Sequence, residues 1–376
     1  MASCAFDQLP PGLVRVDRDV DTWEPGNCQP QKWWQGQVVD IYRPYVHPNP
    51  DSDPDPDPDP DPDPDSDSCP PADPHPHPHP HFVPHDPLPV VVWVPGGAWF
   101  WNAHNHENPR ECAKAIARHG YVVASVNYRH CTHDDTLLEC ALAVVVILIL
   151  TSLLAASTLM ERVLWCALLI ATLFGMLALG FRMYYENEHR VHYPDNAWDI
   201  AYAIRWVYRN IHSHGGDPQR ILLAAHSAGA HLATMVLADE KFLQTCEVPR
   251  EAIRGYLGIS GVYSARESWN SLLLRELTKD AFCVQTEEEL ADNMPAERID
   301  SRPPCSMPTT LLLTANYDYG LHKHALHLRS SLRRMGARVR LEQVAHVSHF
   351  TIVKYYETKN VPLLQRILAF FQYALS

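Results

Sequence analysis

The sequence lacks the patterns that would indicate a metal-binding, nucleic-acid-binding or secreted protein. It has ten cysteines in 376 residues, and no two of them form a CxxC pair, so a zinc site is not predicted. Lysine and arginine are not clustered, which argues against a nucleic-acid partner. The first seven residues have neither the basic nor the apolar region of a signal peptide. We expect no metal and no other cofactor.

The negative charge is a local feature of the chain. The formal net charge is −13, but nine acids lie in one run between residues 51 and 67, where aspartate mostly alternates with proline. His-Pro repeats follow, from His75 to His81. Alternating proline removes backbone donors and favours extended conformations, so no core can form here. Residues 47–87 are therefore predicted to be a disordered linker, and its histidines a solvated spacer rather than a metal site.

Apolar, β-branched runs alternate with helix-like segments through most of the chain. Strand-like runs lie at 33–44, 88–94, 121–127, 221–224, 255–259, 309–314 and 339–344. Helix-like spacing covers 109–119, 197–207, 230–237 and 361–374. This alternation predicts an α/β protein, in which a mostly parallel sheet carries helices on both faces.

Two charge-free runs interrupt this pattern. Cys140–Met160 and Val163–Phe181 contain no charged residue, and only Glu161 and Arg162 separate them. Each run would span roughly 30 Å as a helix, which matches the core of a bilayer. Two buried helices are the alternative, but a domain of this size could hardly cover both on all sides. We therefore predict a transmembrane hairpin over residues 137–183.

Arginines around the hairpin predict its orientation. Arg129, Arg182 and Arg190 flank the hairpin, whereas Arg162 lies at its tip. Positive charge concentrates on the cytosolic side of membrane proteins. We expect an integral membrane protein, of the endomembranes, whose α/β domain faces the cytosol. The sequence does not predict an oligomeric state.

The pattern that points to chemistry is Ala225-His226-Ser227-Ala228-Gly229, between the strand-like run 221–224 and the helix-like run 230–237. Small residues two positions before and after the serine permit a tight, strained strand–turn–helix connection. Such a nucleophile elbow lifts the serine hydroxyl into a cleft. Ser227 is therefore the predicted nucleophile.

A serine nucleophile needs a histidine base and an acid that orients the base. Asp318 and His349 each follow a predicted strand, and they complete the chain order serine, acid, histidine. We predict that Ser227, Asp318 and His349 form a catalytic triad. His346 is an alternative base, three residues away, and a helix N-cap is an alternative role for Asp318.

Four other histidines lie near the predicted triad. His322 and His324 fall on the helix that follows Asp318, where a solvated face is expected. His226 and His231 flank the elbow, where packing or hydrogen-bonding roles are expected.

An oxyanion that develops on a substrate needs backbone N–H donors. Ala228 directly follows the nucleophile, and Gly96-Gly97-Ala98 follows the strand-like run 88–94, where glycine lets the backbone approach a substrate closely. We predict Gly97, Ala98 and Ala228 as the donors. A simple tight turn is the alternative for the two glycines.

The residues around this stretch are candidates for substrate contact. We predict Gly96 and Trp99 as substrate-binding residues. Trp99, Phe100 and Trp101 are interpreted as an apolar lip, or equally as core or interfacial anchors.

Together these motifs resemble the esterase group of the α/β-hydrolases that includes hormone-sensitive-lipase-like esterases, kynurenine formamidases and isoprenylcysteine methylesterases. The matching stretches are 95–99, 126–129, 215–221, 226–233, 315–318 and 348–350. The family usually has histidine in place of Pro95 and glycine in place of Ala225. The resemblance implies the α/β-hydrolase fold, here with an inserted apolar helical hairpin. It also implies the triad and oxyanion donors named above.

These observations predict the domain organisation. An N-terminal segment (1–32) precedes the first strands (33–46), the linker (47–87), the α/β part with the oxyanion loop (88–130), the hairpin (137–183) and the α/β part with the triad (193–376).

The predicted function is a membrane-associated serine hydrolase that cleaves carboxylic esters through an acyl-enzyme. Its substrate would be a small-molecule or lipid-like ester, for example a prenylcysteine methyl ester, and its partner the membrane. Two alternatives stay open. One is an arylformamidase that cleaves an amide of the N-formylkynurenine type, and the other is a non-catalytic binding protein on the same fold.

Overall fold

The computed structural model describes residues 14–21, 38–44, 86–101, 107–131, 191–354 and 361–376, with single residues and short runs between 145 and 175. The predicted linker lies outside the described residues except for Asp86 and Pro87, and so does most of the predicted hairpin. Among the described residues, no helix is long and apolar enough to cross a membrane. The transmembrane hairpin is therefore not confirmed.

The strands of the described residues form one eight-stranded sheet in the order β1-β2-β4-β3-β5-β6-β7-β8. They are β1 (Val14–Asp21), β2 (Val38–Pro44), β3 (Leu88–Val94), β4 (Val122–Val126), β5 (Gly216–His226), β6 (Ile253–Ile259), β7 (Thr309–Tyr317) and β8 (Val339–Ser348). β2 runs antiparallel to β1 and β4, and the other neighbouring pairs are parallel. The mostly parallel sheet is confirmed. β1 lies in the stretch expected only as an N-terminal segment.

Helices cover both faces of this sheet. They are α1 (Glu107–Ala117), α2 (Asp195–Asn210), α3 (Ser227–Ala238), α4 (Glu240–Thr245), α5 (Ala265–Trp269), α6 (Leu272–Phe282), α7 (Glu287–Ala291), α8 (Pro295–Ser301), α9 (Leu321–Arg334) and α10 (Val361–Leu375). Side chains of a strand alternate between faces. Val90, Val92 and Val94 of β3 therefore pack in one core with α2, α3 and α9. Val91 and Trp93 pack in a second core with α1 and α10.

The register of the parallel strands brings four loops together at one edge of the sheet. Val94 at the end of β3 pairs with Ala225 of β5, and Tyr317 of β7 pairs with Ser348 of β8. The chain that leaves β3 therefore passes beside the start of α3. In open parallel sheets, ligands bind at this carboxyl edge.

A partly buried ion pair holds the loop after β4 against α2. The Arg129 guanidinium donates to both carboxylate oxygens of Asp199, from Nε to Oδ2 at 2.9 Å and from Nη2 to Oδ1 at 2.8 Å. The backbone N–H of Arg129 also donates to Asp199 Oδ2 at 2.9 Å. The Asp199 side chain is fully buried. Bidentate pairs of this kind restrict the orientation of both partners as well as stabilising them. The backbone at Arg129 is therefore held in place, and with it the preceding Tyr128.

Candidate active site

Ser227 stands where β5 turns into α3, and its backbone has a φ of 53°. Residues with a β-carbon rarely adopt this left-handed conformation, which costs of order 1–3 kcal/mol. The turn is tight because α3 begins directly against the end of β3. A β-carbon on Gly229 would overlap the carbonyl oxygen of Pro95 and lie 2.6 Å from that of Val94. The strained elbow expected from the sequence is thus present.

Ser227, His349 and Asp318 lie in one hydrogen-bonded chain. His349 Nε2 is 2.9 Å from Ser227 Oγ, and His349 Nδ1 is 2.7 Å from Asp318 Oδ1. All three residues are at most 9% exposed. The structure therefore brings together the three residues that the sequence pattern selects.

The two alternatives raised for these positions concern His346 and Asp318. His346 is exposed, with a φ of 61°, and lies outside the hydrogen-bonded chain. The N-cap of α9 is Gly320, and the Asp318 carboxylate contacts His349 instead of capping that helix.

Two further donors hold the Asp318 carboxylate. The Ser260 hydroxyl donates to Asp318 Oδ2 at 2.6 Å, and the Ala315 N–H donates to the same oxygen at 3.0 Å. Ser260 is fully buried and follows β6 with a φ of 49°. Sequence reasoning missed Ser260. Its position after the strand between β5 and β7 is the one signal that could have found it.

The loop that carries His349 is fixed from two sides. The His349 N–H donates to the carbonyl oxygen of Tyr317 at 3.0 Å. His226 Nε2 lies 3.1 Å from the His349 carbonyl oxygen and donates to it, since a carbonyl can only accept. Burial, together with the nearby His349, holds the pKa of His226 well below its usual range. His226 is therefore a neutral hydrogen-bonding residue, as its position beside the elbow suggested.

The loop after β3 passes directly beside the serine. A β-carbon on Gly96 would lie 2.9 Å from Ser227 Cβ. Gly97, Ala98 and Trp99 have φ values of 139°, 46° and 68°. The Gly97 carbonyl accepts from the N–H groups of residues 100 and 101, at 3.0 and 2.9 Å. The loop is therefore a turn that also lies against the nucleophile.

The backbone N–H groups at this point are available as donors. Those of Gly97 and Ala98 make no hydrogen bond to another described residue. Ala228 lies in the first turn of α3, where amides have no acceptor within the helix and the helix dipole is positive. The three predicted oxyanion donors line the same cavity as Ser227.

Two side chains hold this loop: Tyr128, which sequence reasoning did not select, and His231, for which a packing or hydrogen-bonding role was expected. Tyr128 Oη donates to the carbonyl oxygen of Pro95 at 3.1 Å. Trp99 Nε1 donates to His231 Nδ1 at 3.3 Å, and His231 Nε2 lies 2.8 Å from the carbonyl oxygen of Asn293. Burial lowers the pKa of His231 to about 4, so its ring is neutral.

The three aromatic residues after Ala98 have different environments. Trp99 is 1% exposed and packs edge-on against Phe282, with ring centroids 5.2 Å apart. Phe100 is also buried, whereas Trp101 is 57% exposed. Trp99 therefore anchors the loop in the core, and of the three only Trp101 lies at the surface.

A cavity of about 540 Å³ opens above Ser227. Gly96 and Trp99, the predicted substrate-binding residues, both line it. Much of the rest of its wall is apolar: Trp101, Val262, Leu273, Leu274, Leu277 and Phe350. No Asp, Glu, Lys or Arg is among the described residues that line it. The size and polarity match sites for small, uncharged molecules.

The expectation of a solvated face on α9 is wrong for His324. His324 is 1% exposed, and its Nδ1 accepts from the N–H groups of Tyr263 and Ser264, both at 3.2 Å. Burial lowers its pKa to about 3. His322 is half-buried, with Nδ1 2.9 Å from Thr314 Oγ1.

Two family models match parts of this chain. The carboxylesterase family model matches residues 173–245, and the BD-FAE model matches residues 82–137. The second stretch includes the loop after β3, and the first includes the elbow.

Similar proteins and structures include named esterases. The chain is 26% identical over 179 residues to isoprenylcysteine alpha-carbonyl methylesterase ICME of Arabidopsis thaliana, covering 44% of this chain and 41% of that protein. It is 29% identical over 148 residues to a probable isoprenylcysteine alpha-carbonyl methylesterase of Oryza sativa, covering 36% and 35%. The alignments thus span less than half the length of these relatives. Esterase B of Lactobacillus rhamnosis has a TM-score of 0.58 at 14% identity, over 97% of this chain and 87% of that one. The chain therefore has the α/β-hydrolase fold, and its sequence is related to the esterases of that superfamily.

Proposed function

We propose that this protein is a serine hydrolase that cleaves carboxylic esters through an acyl-enzyme. The hydrogen-bonded chain from Ser227 through His349 to Asp318, beneath an apolar cavity, carries the proposal. The names of the related esterases support an ester as substrate. The uncharged wall favours a small-molecule or lipid-like ester, for which a prenylcysteine methyl ester is one candidate.

In the first half-reaction, Ser227 Oγ attacks the ester carbonyl carbon while His349 Nε2 takes the hydroxyl proton. The carbonyl electron pair moves onto the oxygen, which accepts hydrogen bonds from the N–H groups of Gly97, Ala98 and Ala228. The intermediate then collapses, and the bond to the alcohol oxygen breaks. His349 returns its proton to the departing alkoxide, which leaves the acyl group on Ser227.

In the second half-reaction, water repeats the attack on the acyl-enzyme. His349 takes a proton from the water, and the new tetrahedral intermediate uses the same three N–H donors. The bond to Ser227 Oγ breaks and His349 returns the proton to it, which releases the carboxylic acid. Asp318 Oδ1 accepts from His349 Nδ1 throughout and stabilises the imidazolium that forms twice in the cycle.

A fluorophosphonate probe tests this proposal, because it modifies activated serines. We expect the wild-type protein to be labelled and to hydrolyse p-nitrophenyl acetate. Ser227→Ala should lose both properties. Ser268→Ala, which changes a buried serine of α5, is the matched control and should keep both. Absence of labelling in the wild type, or labelling that survives Ser227→Ala, would contradict the proposal.

The same preparations separate esters from formamides. Hydrolysis of N-formylkynurenine at a higher kcat/KM than of any p-nitrophenyl ester would indicate an arylformamidase. A properly folded protein that neither labels nor hydrolyses would indicate a binding protein on a hydrolase fold.

Membrane association is a separate proposal, carried by the charge-free runs Cys140–Met160 and Val163–Phe181. Alkaline extraction of cell membranes tests it. We expect the protein to stay in the membrane fraction, and release of intact protein into the soluble fraction would contradict the proposal.

A further inference from the structure

Helix α6 borders the catalytic cavity and also a groove on the protein surface. Leu273, Leu274 and Leu277 line the cavity above Ser227. A groove of about 440 Å³ adjoins it and is lined by Leu272, Leu273, Glu276, Leu277 and Asp280. Leu273 and Leu277 therefore belong to both. The cavity wall continues along α6 to the surface instead of ending within the protein.

The two leucines at the start of α6 are unusually exposed for apolar residues. Leu272 is 70% exposed and Leu273 is 54% exposed. An apolar group that covers an exposed leucine removes apolar surface from water, which lowers the free energy. Exposed apolar residues beside a cavity therefore favour binding of an apolar group. These leucines would be covered by part of a substrate that extends out of the cavity.

The chemistry of the proposed reaction decides which part of an ester lies here. His349 must protonate the departing alkoxide, so the alcohol lies beside His349 Nε2. Phe350 and Tyr319 make ring contacts with His349, at centroid distances of 5.2 and 5.7 Å, and both line the cavity. They therefore flank the alcohol.

The carbonyl oxygen and the acyl chain take the other two directions. The carbonyl oxygen faces the turn at Gly97 and Ala98. Of the remaining wall, α6 is the part that continues into the surface groove, so we place the acyl chain along it.

We propose that Leu273 and Leu277 form a track for the acyl chain of the substrate, along which a long apolar chain leaves the cavity over α6. This inference rests on the proposed ester hydrolysis, and it narrows the substrate to esters of medium-length and long apolar acids. Each methylene that the track removes from water raises kcat/KM up to about fourfold. Because the track has an open end, chains longer than the cavity are accepted.

A series of p-nitrophenyl esters tests the track. In the wild type, we expect kcat/KM to rise from acetate to octanoate and not to fall again at palmitate. Leu273→Asp places a carboxylate on the shared wall, where an apolar chain would bury it unpaired. This variant should lower kcat/KM for octanoate and palmitate at least about tenfold more than kcat/KM for acetate.

Variants at different positions along the track should affect esters of different chain length. Leu272 lines only the outer groove, so Leu272→Asp should lower hydrolysis of palmitate and leave octanoate unchanged. Tyr373→Asp alters an exposed residue of α10 that does not line the cavity and is the matched control, with no expected effect on any ester. Both leucines are exposed, so these variants should fold normally, which thermal melting checks.

Two esters, one with a long acyl chain and one with a long alcohol, test which end of the substrate lies on the track. Leu273→Asp should lower hydrolysis of ethyl octanoate and not that of octyl acetate. Three results for Leu273→Asp would overturn the track and leave the proposed function intact. They are a larger loss on octyl acetate than on ethyl octanoate, an equal loss of kcat/KM on p-nitrophenyl acetate and on the long-chain esters, and unchanged hydrolysis of the long-chain esters. A wild type that neither hydrolyses acetate nor takes the fluorophosphonate probe would overturn the proposed function, and the track with it.

Discussion

Ser260 and His349 hold the two oxygens of the Asp318 carboxylate separately. Ser260 Oγ donates to Oδ2 at 2.6 Å, while His349 Nδ1 lies 2.7 Å from Oδ1. The Ser260 N–H in turn donates to the carbonyl oxygen of Leu313 in β7, at 2.8 Å. The orientation of the acid therefore depends on β6 as well as on its own loop.

Ser260→Ala should lower kcat about tenfold and leave KM nearly unchanged, because a hydrogen bond to a charged group is lost and Ser260 does not line the cavity. Steady-state kinetics with p-nitrophenyl octanoate measures the two constants separately. Ser268→Ala is the control, since Ser268 is equally buried. An unchanged kcat, or equal losses in the two variants, would show that Ser260 does not position Asp318.

Gly229→Ala should lower activity at least about tenfold and lower the free energy of unfolding by about 1–3 kcal/mol. The added β-carbon would overlap the carbonyl oxygen of Pro95, and backbone on both sides leaves it no room. The loop after β3 must then move away from Ser227. Activity and urea denaturation measure the effects. Gly175→Ala is the control, because a β-carbon there would meet no described residue within 4 Å. Wild-type activity in Gly229→Ala would contradict the close approach.

Tyr128→Phe should lower kcat about fivefold, which corresponds to about 1 kcal/mol for one neutral hydrogen bond. The variant keeps the buried ring but loses the bond to the Pro95 carbonyl, so the loop that carries Gly97 is less well held. Tyr208→Phe removes a hydroxyl that accepts from Gln219 at 3.3 Å, and it should behave as wild type. A loss of thermal stability without a change in kcat would assign Tyr128 a purely structural role.

His231 should make the fold sensitive to acid. Its pKa is about 4 in the folded protein, against 6.5 in the unfolded chain, so the unfolded state binds the proton more readily. Its contribution to the free energy of unfolding is complete above pH 6.5 and is lost as the pH falls toward 4, by up to about 3 kcal/mol. Protonation at Nδ1 would also displace the Trp99 N–H.

Urea denaturation between pH 7.5 and 4.5 measures this loss. His231→Gln should reduce the dependence of the free energy of unfolding on pH, because glutamine keeps a donor and an acceptor but does not titrate. His226 and His324 also have lowered pKa values, so part of the dependence should remain. An equal dependence of the free energy of unfolding on pH in wild type and His231→Gln would contradict a contribution from His231.

The strands of the sheet were predictable to different degrees. Leu88–Val94 is a continuous apolar run, and β3 has these bounds, since a strand buried on both faces has no polar positions. β7 and β8 extend three and four residues beyond the predicted runs, to Tyr317 and Ser348. β1 alternates valine with charged residues and was not predicted. Only its pairing with β2 makes it a strand.

The three residues of the hydrogen-bonded chain were predictable because their signals are local. Ser227 needs small neighbours within its own turn, and Asp318 and His349 need only to follow strands. The side chains that hold them were not predictable. Ser260 lies 58 residues from Asp318, and Trp99 lies 132 residues from His231.

The sequence by itself determined which strands are buried, where the chain turns tightly, and which serine, acid and histidine could react, because each property depends on neighbouring residues. Only the tertiary structure placed His349 rather than His346 against Ser227, buried Trp99, and placed Ser260 behind Asp318. These outcomes depend on the register of β3, β5, β6, β7 and β8, which sets distances between residues that are far apart in the chain.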